Sequence, residues 1–213
     1  MRCVQPDAGT LETVLSAAQG GDVAAFNTLA VVYQRQVFNV CYRTLGNGDD
    51  AADATQDALL SAFRGLKTFQ GTATGLRAWL LRIAVNACYD HLRRRQRRPA
   101  DSLDALSSTD SEHEISAAER LADPGQTPEQ RSLSTETADA IQAAIDRLSP
   151  DQRLTVILCD VQGLSYDEVA EAMSVELGTV KSRLSRARAQ LRDLLLEKGE
   201  LPSGSQRLQE KNP

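Results

Sequence analysis

The sequence predicts an all-α protein: two small helical domains joined by an acidic flexible linker, the C-terminal one a helix-turn-helix. Three observations carry this. Apolar residues recur at three- and four-residue steps through most of the chain, the period of helices that lay one face on a core. Gly and Pro gather between those segments, while Ala, Leu, Arg, Glu and Gln, good helix formers, fill them. Over 99–126 the pattern lapses into Ser, Asp, Glu and Ala with Pro124 and Gly125, too polar to bury a core. The 213 residues suffice for one large domain or two small ones, and 41% hydrophobic with 25% charged is ordinary for a soluble protein.

Taken in order, 11–19 can form a helix that Gly20 and Gly21 break, with Asp22 as N-cap of the next. That second helix places Phe26, Leu29, Ala30, Tyr33, Val37, Val40 and Cys41 on one side until Gly46-Asn47-Gly48 ends it. A third, from about 49 to 66, has Ala51, Ala58, Leu59, Ala62 and Phe63 inward and Asp53, Gln56 and Asp57 outward. Residues 69–75, FQGTATG, form a loop able to expose backbone and small hydroxyls. The fourth helix, from Leu76 to about Arg97, carries Trp79, Leu80, Ile83, Ala84 and Ala87 inward and ends at Pro99.

After the linker, Thr127-Pro128-Glu129-Gln130 has the form of a capping box with Pro at the first helical position. Ile141, Ala144, Ile145 and Leu148 make one stripe, and Ser149-Pro150 restarts the chain. Leu154, Val156, Ile157, Leu158 and Val161 make another stripe, which Gly163 stops. Ser165 to Glu168 is a second capping box, opening a short helix with Val169, Ala170 and Met173 inward. The final helix, 178–196, aligns Val180, Leu184, Ala187, Leu191, Leu194 and Leu195, which turns Lys181, Ser182, Ser185 and Arg186 outward. Such side chains near a helix N-terminus can meet phosphates and base edges in a major groove. The chain thus divides into an N-terminal segment with a short helix (1–21), a first domain (22–98), the linker (99–126), the helix-turn-helix domain (127–198) and a flexible tail (199–213).

The net charge of −5 and pI near 5.1 argue by themselves against a nucleic-acid binder. The average conceals the distribution. From 77 to 98 seven arginines face Asp90 alone, a balance of +6; 99–140 holds ten acids against Arg120 and Arg131, or −8. From 179 to 198 six cations face Asp193 and Glu197, or +4. Two basic blocks flank an acidic middle. Cys3, Cys41, Cys88 and Cys159 form no C-x-x-C pair, and His91 and His113 have no metal-ligand spacing, so neither a metal nor another cofactor is expected. Cysteines inside helical patterns read as buried free thiols in a reducing compartment. The start, MRCVQPDAG, has no apolar h-region, and no apolar run nears the ~20 residues that span a bilayer, so a cytoplasmic protein without membrane insertion is expected.

Four fragments, DDAADATQDALLSAF, FQGTATGLRAWLLRIAVNACYDHLRRR, RLSPDQRLTVILCDVQGLSYDEVAEAM and GTVKSRLSRARAQLRDLL, in that order and spacing, resemble the extracytoplasmic-function group of sigma-70 family RNA polymerase sigma factors. The resemblance covers nearly the whole chain. It implies a promoter-specificity subunit rather than an enzyme, with no catalytic residues. Its implied partners are core RNA polymerase, promoter DNA with −35 and −10 elements, and an anti-sigma factor. Carried over by position, it assigns −35 reading to Thr179, Lys181, Ser182, Arg183, Ser185 and Arg186. It assigns −10 recognition and melting to Phe69, Gly71, Thr72 and Asn86, with Arg93, Arg94, Arg95, Arg97 and Arg98 on phosphates, and the polymerase clamp to Asp53, Gln56 and Asp57. The domains of 22–98 and 127–198 then correspond to sigma regions 2 and 4. The chain departs from the pattern at Ser174, where a glycine usually makes the helix-turn-helix corner, at Ala54 and Thr55, usually larger apolar residues, at Asp57, usually Glu, and at Ser185, often an aromatic or His.

Read from residues alone, Trp79 falls on a core stripe, although an aromatic could also stack on an unpaired base. Asn86 can be a buried amide or a base reader. Two other functions compete: a dimeric helix-turn-helix regulator acting without polymerase, and a DNA-processing enzyme. The first lacks an evident dimer or effector domain, and the second would need folded metal-binding acids or a positioned nucleophile, neither of which the spacing of the acids marks out; seven of the 29 lie in the linker.

Overall fold

The computed structural model describes residues 8–97 and 128–197, and among them every regular element is helical. The elements are α1 (Ala8–Gln19), α2 (Val23–Leu45), α3 (Gly48–Gly65), a 3₁₀ turn (Leu66–Thr68) and α4 (Ala73–Arg97), then α5 (Pro128–Asp146), α6 (Pro150–Val156), α7 (Tyr166–Met173) and α8 (Leu177–Glu197). A π turn, Ile157–Val161, continues α6. The cap expected at Thr127 lies outside the described residues, as do Cys3, His113 and Arg98.

Local chemistry sets the boundaries. Asp22 Oδ1 accepts from the Ala24 and Ala25 N–H groups at 2.8 and 3.2 Å, and Asn47 Oδ1 from Asp49 and Asp50 at 2.9 and 3.0 Å, each satisfying first-turn donors. Gly46, at φ 71°, closes α2 in the left-handed region and donates to Tyr42 O at 2.8 Å. The capping box is complete: Ser165 Oγ accepts from Glu168 N at 3.3 Å, and Glu168 Oε2 accepts from Ser165 N at 2.8 Å.

The stripes of α2 and α8 are buried as expected at Phe26, Leu29, Tyr33, Val37, Val40 and Cys41 and at Val180, Leu184, Ala187 and Leu194. Other positions differ. α3 packs through a seam of Ala51, Ala54, Ala58 and Ala62; Leu59 is half-buried, and Phe63 is exposed with its ring edge-on to Phe26. In α4 the buried face is Leu76, Leu80, Leu81, Ala84, Val85 and Cys88, with Trp79, Ile83 and Ala87 only half-buried. Ile141 is exposed because Ala140, Ala144, Ile145 and Leu148 form the inner side of α5. Val161 is 43% exposed: the π turn, closed by Gln162 N donating to Ile157 O at 2.9 Å, adds a residue and rotates the stripe after Leu158 outward. Cys41, Cys88 and Cys159 are buried free thiols, and burial pushes Cys159 up to about 11.

The two helical parts pack on one another. One apolar cluster unites Val37, Val40, Cys41, Leu81 and Val85 with Ile145, Leu148, Leu154, Ile157 and Val169. A second, of Leu15, Ala18, Phe26, Leu29, Leu66, Leu76 and Leu80, seats α1 against α2, the 3₁₀ turn and α4. Polar contacts fringe the junction. Arg153 donates to Thr44 O at 2.6 Å, Gln142 to Arg43 O at 3.2 Å and Arg77 to Gln162 O, and Arg82 pairs with Glu171 at 3.2 Å.

Candidate nucleic-acid and polymerase interfaces

The helix-turn-helix is α7, a tight corner and α8. Ser174 makes the corner in left-handed backbone, φ 54° and ψ 48°, the one non-glycine with positive φ among the described residues. Val175 N, donating to Ala170 O at 2.9 Å, closes the end of α7, and Val180 N, donating to Glu176 O at 3.2 Å, opens α8. With Val180, Leu184 and Ala187 buried, Lys181, Ser182, Ser185 and Arg186 are all exposed on the opposite side of the first turns. Thr179 is half-buried beside them.

Arg183 departs from this face. Its guanidinium is paired with Asp151 of α6, and Tyr89 of α4 donates to the other carboxylate oxygen at 2.8 Å. The reason is angular: three residues after Val180 and four before Ala187, Arg183 lies at the flank of the buried stripe, within reach of α6. Arg188 is likewise held, forking onto Asp160 at 3.0 and 2.5 Å, which keeps its guanidinium above its ordinary pKa. Arg192 meets Asp193 at 3.3 Å. The outward charge near the start of α8 therefore comes from Lys181 and Arg186.

The loop expected over 69–75 ends sooner, because α4 starts at Ala73, with Thr72 O accepting from Gly75 and Leu76 at 3.0 and 3.1 Å. The Phe69 ring turns inward, its centroid 4.9 Å from that of Trp79 at 40°. A Cβ on Gly71 would lie 2.3 Å from Phe69 Cζ, so the strand of backbone at Gly71 crosses directly over the ring. Phe69 is thereby half-buried as the floor of the loop, with Trp79 against it. Gly71 and Thr72 stay exposed, with the Thr72 and Thr74 hydroxyls 2.8 Å apart. Two α1 side chains hold this loop: Gln19 Nε2 donates to Phe69 O at 2.8 Å, and Glu12 Oε2 accepts from Ala73 N at 2.9 Å. Sequence reasoning missed both, since partners 50 and 61 residues apart leave no local signal.

Asn86 is exposed on α4, which removes the buried-amide reading, and Arg93, Arg94, Arg95 and Arg97 are exposed around the helix end. Not all of the first basic block is free. Arg77 and Arg82 serve the junction, and Arg93 pairs with Asp90 at 3.4 Å. Asp53, Gln56 and Asp57 line the exposed side of α3. Asp57 also receives His91 at 3.3 Å and Arg94 at 3.6 Å, so the α3 acids and the α4 arginines adjoin as one surface. His91 was not marked out by any spacing. Among the described residues no helix is long and apolar enough to cross a membrane.

A helix-turn-helix set beside an arginine-ended helix defines an all-helical DNA-binding protein of the helix-turn-helix class. Comparison narrows this. Residues 29–98 match Sigma-70 region 2 and residues 138–191 match Sigma-70, region 4. The chain is 40% identical over 182 residues to the ECF RNA polymerase sigma factor SigM of Mycobacterium tuberculosis, covering 85% of this chain and 83% of that one. It is 36% identical over 180 residues to the ECF RNA polymerase sigma-E factor of Escherichia coli, covering 84% and 91%. Among solved structures it is similar to the sigma factor RpoE of Bartonella quintana in complex with the anti-sigma factor NepR, with TM-score 0.59, 27% identity and 82% and 98% coverage. This chain belongs to the extracytoplasmic-function group of the sigma-70 family.

Proposed function

We propose that this sigma factor docks on core RNA polymerase through Asp53, Gln56 and Asp57 and reads promoter DNA at two places. Lys181, Ser182, Ser185 and Arg186 meet base edges and phosphates of the −35 element, with Thr179 at the margin. Arg183 contributes indirectly, tying α8 to α6 through Asp151. Across the first part, Gly71, Thr72 and Asn86 receive the −10 strand, while Arg93, Arg94, Arg95, Arg97 and Arg98 neutralise phosphates. Flipping a base out of the stack costs a few kcal/mol, so a prebuilt loop that captures it converts binding into melting. The segments 22–98 and 127–198 act as the two working domains. The observation that carries this reading is the exposed face of α8, with Lys181 and Arg186 outward and Val180, Leu184 and Ala187 buried behind them. Family membership disfavours the dimeric regulator and the DNA-processing enzyme, since sigma factors are specificity subunits. We place the protein in the cytoplasm with its polymerase. We infer an anti-sigma factor as a regulatory partner, as in the Bartonella quintana complex.

The test is run-off transcription from a genomic promoter library with core polymerase and the full chain. Promoter-specific transcripts are expected, and Lys181→Ala with Arg186→Ala should reduce them roughly 30-fold or more while leaving polymerase binding intact. Failure to co-elute with core polymerase would sink the proposal.

A further inference from the structure

Resting on the reading of 69–75 as the −10 loop, we infer that α1 is the brace of that loop, with Glu12 and Gln19 as positioning residues for capture of the unpaired −10 base. α1 precedes the segment matching Sigma-70 region 2, which begins at residue 29. It is nevertheless anchored: Leu15 and Ala18 are buried against the loop's own support, Leu66, Leu76 and Leu80. Glu12 and Gln19 are seven residues apart, two helical turns on one face, so their side chains are spaced about 10 Å along the axis. The segment from Phe69 O to Ala73 N is clamped at both ends, Gln19 donating to the first at 2.8 Å and Glu12 accepting from the second at 2.9 Å.

Each contact answers a particular need. Ala73 N is a first-turn donor of α4 without an intrahelical acceptor, and the Glu12 carboxylate satisfies it from outside while adding negative charge at the positive end of the helix. The Phe69 carbonyl belongs to the residue whose ring lies between Gly71 and Trp79, so holding it fixes the ring that floors the loop. With both ends and the floor fixed, Gly71 and Thr72 are presented outward without a conformational search. A flexible loop would pay that ordering cost when the base arrives.

The experiment uses holoenzyme assembled from core polymerase and the full chain, and as probe a randomised, fluorescein-labelled single-stranded DNA pool. E12A combined with Q19A should weaken retention of the pool about tenfold, with core-polymerase affinity unchanged. E12Q, which keeps a carbonyl acceptor for Ala73 N–H, should restore retention to within roughly threefold of its parent. Collisional quenching of Trp79, the sole tryptophan, measured in the free chain, should rise in the double variant as Phe69 loosens. Undiminished retention by the double variant, where the wild type binds, overturns the brace alone. Loss that E12Q does not restore, or that comes with equal loss of polymerase affinity, also overturns it. Wild-type holoenzyme that binds polymerase but retains no single strand overturns the loop reading and the brace together.

Discussion

At the corner of the helix-turn-helix, Ser174 does what glycine does without cost. An L side chain in the left-handed region costs about 1–2 kcal/mol, and Ser174 sits there at φ 54° and ψ 48°. Glycine would remove that strain but give back about 0.5–1 kcal/mol in unfolded-state entropy. Ser174→Gly should therefore stabilise by roughly 0.5–1 kcal/mol, raising the calorimetric midpoint by about 1–4 °C at this chain length. An unchanged or lower midpoint would mean that the hydroxyl supports the turn by more than the backbone loses. Ser174 is itself exposed and outside the outward face of α8, so −35 binding by the variant should match that of the wild type.

Among the elements, the loop before α4 makes the sharpest demand on one residue type. Gly71 does not hold positive φ; what excludes a side chain is the Phe69 ring, 2.3 and 2.7 Å from where a Cβ would stand. Gly71→Ala must push that ring off Trp79. The expected results are a red shift of Trp79 emission, a loss of about 1–3 kcal/mol typical of overpacking, and weaker capture of single-stranded DNA. An unshifted spectrum would show that the loop can yield without moving the ring. None of this crossing was legible in the sequence, although FQGTATG was legible as a loop from its glycines and threonines. The division is physical. Periodic stripes and caps are local, so the inner side of α2, the Ser165–Glu168 box and the outward set Lys181, Ser182, Ser185 and Arg186 follow from spacing. Arg183 on Asp151, Gln19 on Phe69 and Asp57 on His91 join residues 32 to 50 positions apart. The π turn misleads for a related reason: one inserted residue shifts the phase, and a 3.6-residue period then buries Val161 on paper.

For the molecule as a whole, the decisive feature is that the larger apolar cluster does not stop at the linker. Ile145 and Leu148 of the second part are 1% and 3% exposed within the cluster that holds Val40, Cys41 and Cys88 of the first. Around it, Arg153 donates to Thr44 O across the junction and to Asp146 O within its own part. Desolvation there lowers the guanidinium pKa, so the contact depends on those carbonyl partners rather than on charge alone. Two parts that share buried surface should unfold together. Leu148→Ala removes buried methyl groups and leaves a cavity, an expected cost of about 2–5 kcal/mol. The wild type and the variant should each melt in one calorimetric transition, with calorimetric and van't Hoff enthalpies equal and the whole transition displaced in the variant. Two transitions, with the substitution moving only one of them, would show that the halves fold separately and that their shared core adds nothing to stability.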